Sequence, residues 1–262
     1  MKIMITGNDK RSAVIKNILK QKLPDTYIYD YQGTVEKDTS VVVLPTPVST
    51  DFINLSFTAS ENKSLDFLFR QIPDTCLIIG AGYKNDKVYD LCDRDDFSIM
   101  NAIPTAEGAI SLALNANSHT LFGSKVLVTG FGRVSRILLS RLYPFTSDIT
   151  VAVRKSGNIA EIEALGMKGV YIDKLEDNIE CFDIVFNTIP FKIFDSKVLS
   201  KANRDTVFIE LASKEAGFDR SLTEKFNNYI NAPGLPGKIA PTSAGIIMAE
   251  TILNILTENF LI

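Results

Sequence analysis

The sequence has no tryptophan, a single histidine (His119) and three cysteines, Cys76, Cys92 and Cys181. The cysteines lie far apart and form no C-x-x-C pair, which argues against a disulfide framework and against a cysteine zinc site. One histidine is too few for a histidine-rich metal centre. We therefore expect no metal site, and the cysteine content fits a reducing cytoplasm.

Strong charge and long apolar runs are also lacking. The formal net charge is -3 over 262 residues, so no bulk attraction to nucleic acid or to an anionic membrane is expected. No stretch approaches the roughly 20 apolar residues of a membrane span. The opening "MKIMITGND" passes directly from a short apolar run to polar residues, which is typical of a strand and not of a signal peptide. These features predict a cytoplasmic protein that binds neither nucleic acid nor membrane.

Apolar strand patterns alternate with helical patterns along the whole chain. The first group of strands includes "KIMIT", "YIYD", "SVVVLP" and "TCLIIG", and a second group from Lys125 onwards includes "KVLVTG", "DITVAV", "FDIVFNTI" and "DTVFIEL". Such alternation is typical of parallel sheets with helices on both faces. We predict an α/β fold of two doubly wound domains. The N-terminal domain would span 1–100 with the final helix 242–262 packed back on it, and 101–241 would hold an interdomain helix and a Rossmann domain.

A glycine-bearing turn in the middle of the chain predicts a nucleotide site. In "KVLVTGFGRVSRILLSRL" the motif runs Gly130-x-Gly132-x-x-Ser135, after a strand and at the start of a helix. Gly130 permits a tight turn, and Gly132 lets backbone amides approach a pyrophosphate on the helix N-terminus. Arg133 and Val134 belong to the same turn and are expected to contact the cofactor. Ser135 stands where a third glycine is usual, so we expect a slight helix shift and not loss of the site. An ordinary strand-to-helix turn is the alternative.

The next strand bears on which cofactor binds. It ends in Arg154 and Lys155 with no acidic residue, whereas NAD sites usually place Asp or Glu there. The two cations suit a 2′-phosphate, so NADP is favoured over NAD, although they could simply solvate a strand end. Further along, "NTIP" follows a strand at the carboxyl edge of the sheet. Its residues Asn187, Thr188 and Pro190 are expected to contact the cofactor, or else to cap a turn.

Several longer phrases are similar to the family of dipicolinate synthase A subunits. They are "RDDFSIMNAIPTAEGAISLAL", "VLVTGFGRVSRILLSRL", "DIVFNTIP", "ELASKEAGFD" and "APGLPGKIAPTSAGIIMAETI", in the family's order and near its spacing. The resemblance is strong from Arg94 to Leu256 and weaker over 1–93. The family usually shows G-x-G-x-x-G and "DLAS-x-x-GG-x-D", whereas this chain has Ser135, Glu210 and Ala216-Gly217.

What the resemblance implies is specific. Members act in the mother cell of spore-forming bacteria, together with a small flavoprotein-like partner, the B subunit of the synthase. The pair converts the lysine-pathway intermediate made by dihydrodipicolinate synthase into dipicolinate. The A subunit is taken to be the NAD(P)-dependent oxidoreductase part, so a cytoplasmic hetero-oligomer is expected, with homo-oligomerisation as a further option.

A dihydrodipicolinate-type substrate carries two carboxylates, and its oxidation removes a hydride and a proton to leave an aromatic ring. The protein must orient the ring against the nicotinamide and bind two anions. We expect these groups to meet where two lobes face each other, between the start of the interdomain helix and the loop before the last helix. The candidates are Asn101, Thr105, Glu107, Ser213, Lys214, Lys238, Thr242 and Ser243.

These candidates also have plainer explanations. Thr105, Thr242 and Ser243 would serve equally as helix caps. Glu107 near a helix start is favourable to the helix dipole in any case, and Lys238 fits a solvated loop lysine.

Other assignments stay open as well. Glu210 ends an apolar strand and suits either proton transfer or a structural role, while His119 is expected at the surface. The alternatives at the level of function are another two-lobed dehydrogenase, of the shikimate or hydroxyacid type, and a non-catalytic nucleotide-binding protein that regulates the flavoprotein-like partner. Hydroxyacid types normally need an acid/base histidine, and His119 is badly placed for that role.

Overall fold

The structure is a computed structural model, and it describes residues 1–212, 217–224 and 226–262. Ser213 and Lys214, two of the predicted substrate residues, lie outside the described residues. The elements in chain order are β1 (Lys2–Ile5), α1 (Lys10–Lys22), β2 (Tyr27–Asp30), β3 (Val41–Val43), α2 (Leu65–Gln71), β4 (Leu77–Gly80), β5 (Val88–Asp90), α3 (Asp95–Ala116), β6 (Val126–Thr129), α4 (Arg133–Leu142), β7 (Ile149–Val153), α5 (Ser156–Ala164), β8 (Lys168–Tyr171), β9 (Ile184–Asn187), α6 (Ser196–Lys201), β10 (Val207–Glu210), α7 (Arg220–Thr223), β11 (Tyr229–Asn231), α8 (Leu235–Ile239) and α9 (Pro241–Glu258).

The chain divides into two compact units. Unit 1 comprises Met1–Asn101 and Ala240–Ile262, and unit 2 comprises Ala102–Ile239. Among the described residues each unit holds one sheet, and the strand pairs of both sheets are parallel. The predicted α/β class with two doubly wound parallel sheets is confirmed.

Unit 1 has the strand order β2-β1-β3-β4-β5. Side chains of a strand point alternately to the two faces of a sheet, and β1 shows this directly. Ile3 and Ile5 pack into a core with α1 and α9, while Met4 packs into a second core with α2. Both faces are therefore covered, which is why the strands read as unbroken apolar runs.

Helix α9 packs closely on α1 because Gly245 carries no side chain. A Cβ at that position would lie 2.8 Å from the Cβ of Val14 and 3.0 Å from the carbonyl oxygen of Arg11. The far end of α9 is held by the guanidinium of Arg94, whose Nη2 donates to Asp96 at 2.8 Å and to Glu258 at 2.8 Å. The last helix of the chain is thus an integral part of unit 1.

Unit 2 has the strand order β11-β10-β9-β6-β7-β8. Its first strand in sequence, β6, is central, and the chain winds outwards from it in both directions. Counted from β6, this is the 3-2-1-4-5-6 order of dinucleotide-binding folds, with the order reversing between β6 and β9. Apolar cores lie on both faces, one with Val128 and Phe186 and the other with Leu127 and Val185.

Helix α3 corrects two predictions. The sequence analysis placed the start of the interdomain helix near residue 101, close to Glu107, but the helix begins at Asp95 and Pro104 lies inside it. An interior proline costs the helix one backbone hydrogen bond. In α3 the residues that follow the proline are packed, since Ala106 and Ala109 are buried in the core of unit 2.

The 22-residue helix α3 is also long and apolar enough to cross a membrane, by length and composition only, which contradicts the prediction that no stretch approaches that length. Since 44% of its apolar window is buried inside the protein, packing accounts for much of that apolarity.

Candidate functional site

Most of the predicted cofactor residues lie after the carboxyl ends of β6 and β9. These two parallel strands are hydrogen-bonded neighbours, with Thr129 opposite Asn187 at their ends. The chain leaves β6 towards β7 on one side and leaves β9 towards β10 on the other. The loops after β6 and β9 therefore diverge and open a crevice, which is where open α/β sheets bind ligands.

The two glycines of the turn after β6 are required for different reasons. Gly130 has a positive φ of 90°, and a Cβ there would lie 2.6 Å from the Oγ1 of Thr188 and 3.1 Å from Cγ1 of Ile189. Gly132 is the N-cap of α4 with no side-chain cap, and a Cβ there would meet nothing within 4 Å. Gly130 thus lets the turn close on the loop after β9, whereas Gly132 leaves open space in front of the first amides of α4. An anion fits this place, since backbone N–H groups and the helix dipole both favour negative charge.

Ser135 fits within the helix. It is fully buried, and its hydroxyl donates to the carbonyl oxygen of Gly132 at 3.2 Å. A hydroxyl bonded back to the preceding turn is satisfied where water cannot reach it. The extra CH₂OH is therefore accommodated without displacing Gly132 from the N-cap of α4.

A buried polar network joins the ends of β6, β9 and β10. The Thr129 hydroxyl donates to Oδ1 of Asn187 at 2.5 Å, and Nδ2 of Asn187 donates to the two carboxylate oxygens of Glu210 at 2.8 and 3.0 Å. Asn187 also bonds the backbone of Ile189 in both directions, accepting from its N–H at 3.1 Å and donating to its carbonyl at 3.0 Å. The side chain of Asn187 is thus committed to the protein, where it fixes the turn that begins with Thr188.

Thr188 connects the turn after β9 to the end of β6. Its hydroxyl donates to the carbonyl oxygen of Thr129 at 2.6 Å, against the glycine turn. Pro190, two residues on, is exposed at the end of the turn. Contacts of Asn187, Thr188 and Pro190 with a cofactor remain a prediction.

The end of β7 is cationic and open. Arg154 and Lys155 are both exposed, and neither side chain makes a hydrogen bond or an ion pair within the part of the chain that the structure describes. Lys155 is the N-cap of α5 without a side-chain cap. The neighbouring Arg136 behaves differently, since it forms a bidentate ion pair with Glu161 of α5. Arg154 and Lys155 are therefore available to a ligand, whereas Arg136 links α4 to α5.

The predicted substrate residues of unit 2 lie on two helices in contact. Thr105 is half-buried within α3, and Glu107, two residues on and exposed, accepts from Nε of Arg141 at 3.4 Å. Helix α8, which carries the exposed Lys238, packs on α3 at Gly108, where a Cβ would lie 3.1 Å from Cγ1 of Ile239. Thr105 is not a helix cap, because the helix starts ten residues earlier at Asp95. The same fact removes the helix-start explanation for Glu107.

Thr242 and Ser243 belong to unit 1, in the first turn of α9. Both side chains lie at the surface, and the N-cap of that helix is Ala240, with Pro241 as the first helical residue. Neither side chain is therefore the cap considered in the sequence analysis. Their part in substrate binding stays a prediction.

The sequence analysis missed Thr129 and Gly217 as parts of the site. A Cβ at Gly217 would lie 2.0 Å from Nδ2 of Asn187, and its N–H donates to Oε2 of Glu210 at 2.7 Å. The position of Thr129, directly before Gly130, was a usable signal. Gly217 offered only its place in "ELASKEAGFD", because Asn187 lies far away in sequence.

Comparisons with known proteins agree with this architecture. The chain is 29% identical to the A subunit of dipicolinate synthase from Bacillus subtilis (strain 168), over 98% of this chain and 96% of that protein. The crystal structure of the dipicolinate synthase A chain from Bacillus subtilis superposes with a TM-score of 0.87 at 30% identity, covering 98% of this chain and 96% of that one. That of the A subunit from Bacillus halodurans gives a TM-score of 0.86 at 26% identity and 97% coverage of both chains.

More distant likeness concerns the fold alone. The NAD-dependent formate dehydrogenase from Staphylococcus aureus, solved in complex with NAD, gives a TM-score of 0.63 at 16% identity, covering 99% of this chain and 95% of that one. No family model matches the chain. Whole-length identity of 30%, near-complete coverage of both chains and the shared fold establish that this chain belongs to the family of dipicolinate synthase A subunits.

Proposed function

We propose that this chain is the NAD(P)-dependent oxidoreductase component of a dipicolinate synthase. The observation that carries the proposal is the bare N-terminus of α4, where Gly132 leaves open space before the first helical amides. It lies at the switch point between β6 and β9, in the strand order of dinucleotide-binding folds. Family membership supplies the reaction that such a site would serve.

The residues present fit a dinucleotide. The first amides of α4, at Arg133 and Val134, would bind the pyrophosphate, and Gly130 keeps the turn close to the strand. The exposed cations Arg154 and Lys155 suit a ribose 2′-phosphate, and the sequence has no acidic residue at the end of β7 to bind ribose hydroxyls. We therefore propose NADP as the preferred cofactor, with NAD as the alternative.

The chemistry is an oxidation that completes an aromatic ring. A nicotinamide held at this site would supply the hydride acceptor for the dihydrodipicolinate-type substrate, whose oxidation would also release one proton to water or to a base. The chain's own contribution would be to bind the two carboxylates and hold the ring in place, for which we propose Thr105, Ser213, Lys214, Lys238, Thr242 and Ser243. Positioning of this kind supplies a large part of the rate in hydride transfer between bound partners.

We propose an indirect role for Glu107 in the reaction. Its carboxylate faces Arg141 across 3.4 Å with 61% of the Glu107 side chain exposed. A carboxylate in that setting would repel the substrate anions unless Arg141 offsets its charge. We propose that it tunes the local charge and does not bind substrate directly.

The proposed partner and compartment are based on the likeness to the family. The relatives are named as one subunit of a synthase, which implies at least one further component. We propose that this component is a flavoprotein-like protein, the B subunit of the synthase. We place the complex in the cytoplasm of the mother cell during sporulation.

The test is a reconstituted assay. The product of dihydrodipicolinate synthase is supplied to this chain with NADP or NAD, with and without the flavoprotein-like partner, and the absorbance of dipicolinate and of the reduced nicotinamide is followed. We expect reduced nicotinamide and dipicolinate to appear in equal amounts, and only when this chain is present.

The competing function, a non-catalytic nucleotide-binding protein, predicts a different result. The flavoprotein-like partner would then reduce the nicotinamide by itself, and this chain would change only its rate or stability. A Gly132→Asp variant serves as the matched control, because it is expected to keep the fold and lose the dinucleotide. Turnover by that variant at the rate of the unmodified chain would reject our proposal.

A further inference from the structure

Unit 1 has a cavity of its own beyond the carboxyl ends of β1 and β2. It measures about 280 Å³, and the first turns of α1 form one wall. Pockets for drug-sized ligands usually measure roughly 300–1,000 Å³, so this cavity suits one sugar with its base and not a dinucleotide. The side chains and backbone that line it include Thr6, Gly7, Ala13, Lys16, Asp30 and Gln32.

The carboxylate of Asp30 stands at the end of β2 with one oxygen engaged. Its Oδ2 accepts from Nζ of Lys16, whereas among the described residues no group donates to Oδ1. Half of the Asp30 side chain is exposed. Asp30 follows Gly7 by about 20 residues, and a carboxylate at that spacing after a glycine turn accepts from ribose hydroxyls in wound sheets. Asp30 is therefore placed to accept from a vicinal diol.

The place that a phosphate would take is filled by the chain itself. Oδ1 of Asp9 accepts from the N–H of Ser12 at 3.0 Å, and Oδ2 accepts from Nε of Arg11 at 2.7 Å. The turn also lies close to the helix, since a Cβ at Gly7 would lie 2.2 Å from Oγ of Ser12. A phosphate at this turn would meet a carboxylate in place of free amides, and like charges repel. The cavity therefore selects against a nucleotide and accepts an uncharged ligand.

Neutral polar groups complete the lining. Asn8 and Gln32 are both exposed, and neither side chain makes a hydrogen bond within the described part of the chain. A side-chain amide offers one acceptor and two donor hydrogens. Ala13 adds an apolar surface from α1. A nucleobase matches this set, because its edge carries donors and acceptors and its faces are apolar.

We propose that unit 1 carries a binding site for a nucleoside. Asp30 accepts from the 2′ and 3′ hydroxyls of the ribose, the amides of Asn8 and Gln32 face the base, and Asp9 excludes a 5′-phosphate. This site is separate from the proposed dinucleotide site and does not depend on it, since every residue named belongs to Met1–Asn101 of unit 1.

Calorimetric titration of the full chain tests the ligand class, with adenosine as the probe. We expect adenosine to bind, and AMP, 2′,3′-dideoxyadenosine and D-ribose each to bind about tenfold more weakly or worse, since each lacks one feature of the match or adds a charge. No binding of adenosine would overturn the proposal. So would equal affinity for adenosine and any one of the other three compounds.

Variants locate the site, because the dinucleotide site of unit 2 would also accept an adenosine group. Asp30→Asn should weaken adenosine about tenfold or more through loss of the charge-assisted contact. Asp25→Asn is the matched control, an exposed carboxylate before the amino end of β2, and should change nothing. Arg154→Ala in unit 2 should also leave adenosine unchanged. Weaker adenosine binding in Arg154→Ala with normal binding in Asp30→Asn would overturn the proposal.

A second variant guards against a general effect of Asp30→Asn on folding. Ala13→Leu keeps a good helix former and fills part of the cavity, so adenosine affinity should fall about tenfold or more. Gln21→Leu, exposed in the last turn of α1, is its control and should bind adenosine normally. Normal binding in Ala13→Leu would place adenosine elsewhere and overturn the proposal.

The exclusion of phosphate has its own test. Asp9→Ser replaces the carboxylate with a neutral residue that also caps helices well. It should raise the affinity for AMP relative to adenosine by about tenfold or more, because the repulsion is removed and Arg11 loses its partner carboxylate. An unchanged ratio of the two affinities would contradict the role proposed for Asp9.

Discussion

Both units of this chain start their sheets with a strand, a turn containing glycine and a helix, but the two helix N-termini differ. In unit 1 the N-cap of α1 is Asp9, whose carboxylate accepts from the N–H of Ser12 at 3.0 Å and from its hydroxyl at 2.6 Å. Arg11 adds an ion pair to the same carboxylate at 2.7 Å. In unit 2 the N-cap of α4 is Gly132, and no side chain caps the helix.

The strand that follows each helix repeats the contrast. β2 ends in Asp30, which forms an ion pair with Lys16 of α1. β7 is followed by Arg154 and Lys155, which are exposed and engaged with no other side chain that the structure describes. A cavity of about 280 Å³ does lie beyond β1 and β2, but the carboxylates of Asp9 and Asp30 line it. The same order of elements thus leaves a helix N-terminus without a side-chain cap in unit 2 and caps it with a carboxylate in unit 1.

The comparison shows that the order of strands and helices places a helix N-terminus at the sheet edge in both units. The residue at the N-cap then decides whether the first helical amides are available to a ligand. A side-chain carboxylate stabilises the helix by satisfying its first amides, and by doing so it removes them from any ligand. A glycine leaves the amides to a bound phosphate. Unit 1 therefore gains local stability at the helix N-terminus, whereas unit 2 leaves the first amides of α4 without a side-chain cap.

Transferring the cap from unit 1 to unit 2 should have the largest effect. In Gly132→Asp the new carboxylate has room, bonds the first amides of α4 and repels the pyrophosphate. Dinucleotide affinity should fall on the order of 100-fold or more, since two charge-assisted contacts of about 1.5–3 kcal/mol each are lost. The free energy of unfolding should stay level or rise by a few tenths of a kcal/mol. Calorimetric titration and urea unfolding measure both.

Gly132→Ala is the control for charge in that experiment. It fills some of the same space without a carboxylate and should weaken binding much less than Gly132→Asp. Equal affinity of the Asp variant and the unmodified chain would show that the pyrophosphate does not bind at α4.

The cationic end of β7 is the next largest difference. Arg154→Ala should weaken NADP by about 1–3 kcal/mol, the range for a charge-assisted contact, and leave NAD nearly unchanged. Arg204→Ala, an exposed arginine before β10 at the amino end of the strand, is the matched control and should change neither. Calorimetry that gives equal affinity for NADP and NAD in the unmodified protein would remove the basis of this prediction.

Removing the cap of unit 1 should affect stability alone. Asp9→Ala should lower the free energy of unfolding by about 0.5–2 kcal/mol at neutral pH and leave dinucleotide affinity unchanged. Burial raises the pKa of the Asp9 carboxyl, but the hydrogen bonds from Ser12 and the contacts of Arg11 outweigh it, so the pKa lies below its ordinary value of 3.8. This stabilisation is complete above pH 3.8 and is lost as the pH falls through the lower value of the folded state.

Urea unfolding across the acid range tests that sign. The stability difference between the unmodified chain and Asp9→Ala should shrink below about pH 4. A difference that stays constant down to about pH 2 would contradict the hydrogen-bonded, ionised cap. Asp25→Ala, which removes an exposed carboxylate of the same unit, should show little change at any pH.

Ser135 should give the smallest effect. Ser135→Gly removes a buried back-bonded hydroxyl and adds helix flexibility, for a loss of about 0.5–1 kcal/mol in stability and little change in cofactor affinity. Ser135→Leu is the contrast, because overfilling a fully buried position costs about 1–3 kcal/mol and would force α4 from β6. Normal dinucleotide binding by the Leu variant would mean that this turn does not hold the pyrophosphate.

Much of the fold was predictable because its signals are local. The apolar runs of β1, β6 and β9 are each bounded by turn residues, and their alternation with helices leaves few options besides parallel sheets. Helix α3 was mispredicted because Pro104 is a strong local signal for a helix start, whereas the packing that accompanies the longer helix is tertiary. The short strand β5 was missed for a similar reason, since three residues carry little periodicity.

The residues of the candidate site also divide into those identified from local signals and those whose contacts depend on the tertiary structure. Gly130 and Gly132 were identified by spacing, because a glycine turn between a strand and a helix needs only neighbours in sequence. Asn187 was identified as well, but its side chain proved to be held by Thr129 and Glu210, which lie 58 and 23 positions away. Whether the predicted residues bind cofactor and substrate stays a prediction.

By itself the sequence determined the fold class, the position of the glycine turn and the cationic end of β7, since each depends on residues adjacent in the chain. Only the tertiary structure decided that Asp9 closes one helix N-terminus while Gly132 leaves the other open. It also decided that Glu210 joins Asn187 to Gly217. The physical reason is that hydrogen bonds at a sheet edge are made between the ends of neighbouring strands, and strand order brings together residues that the sequence keeps far apart.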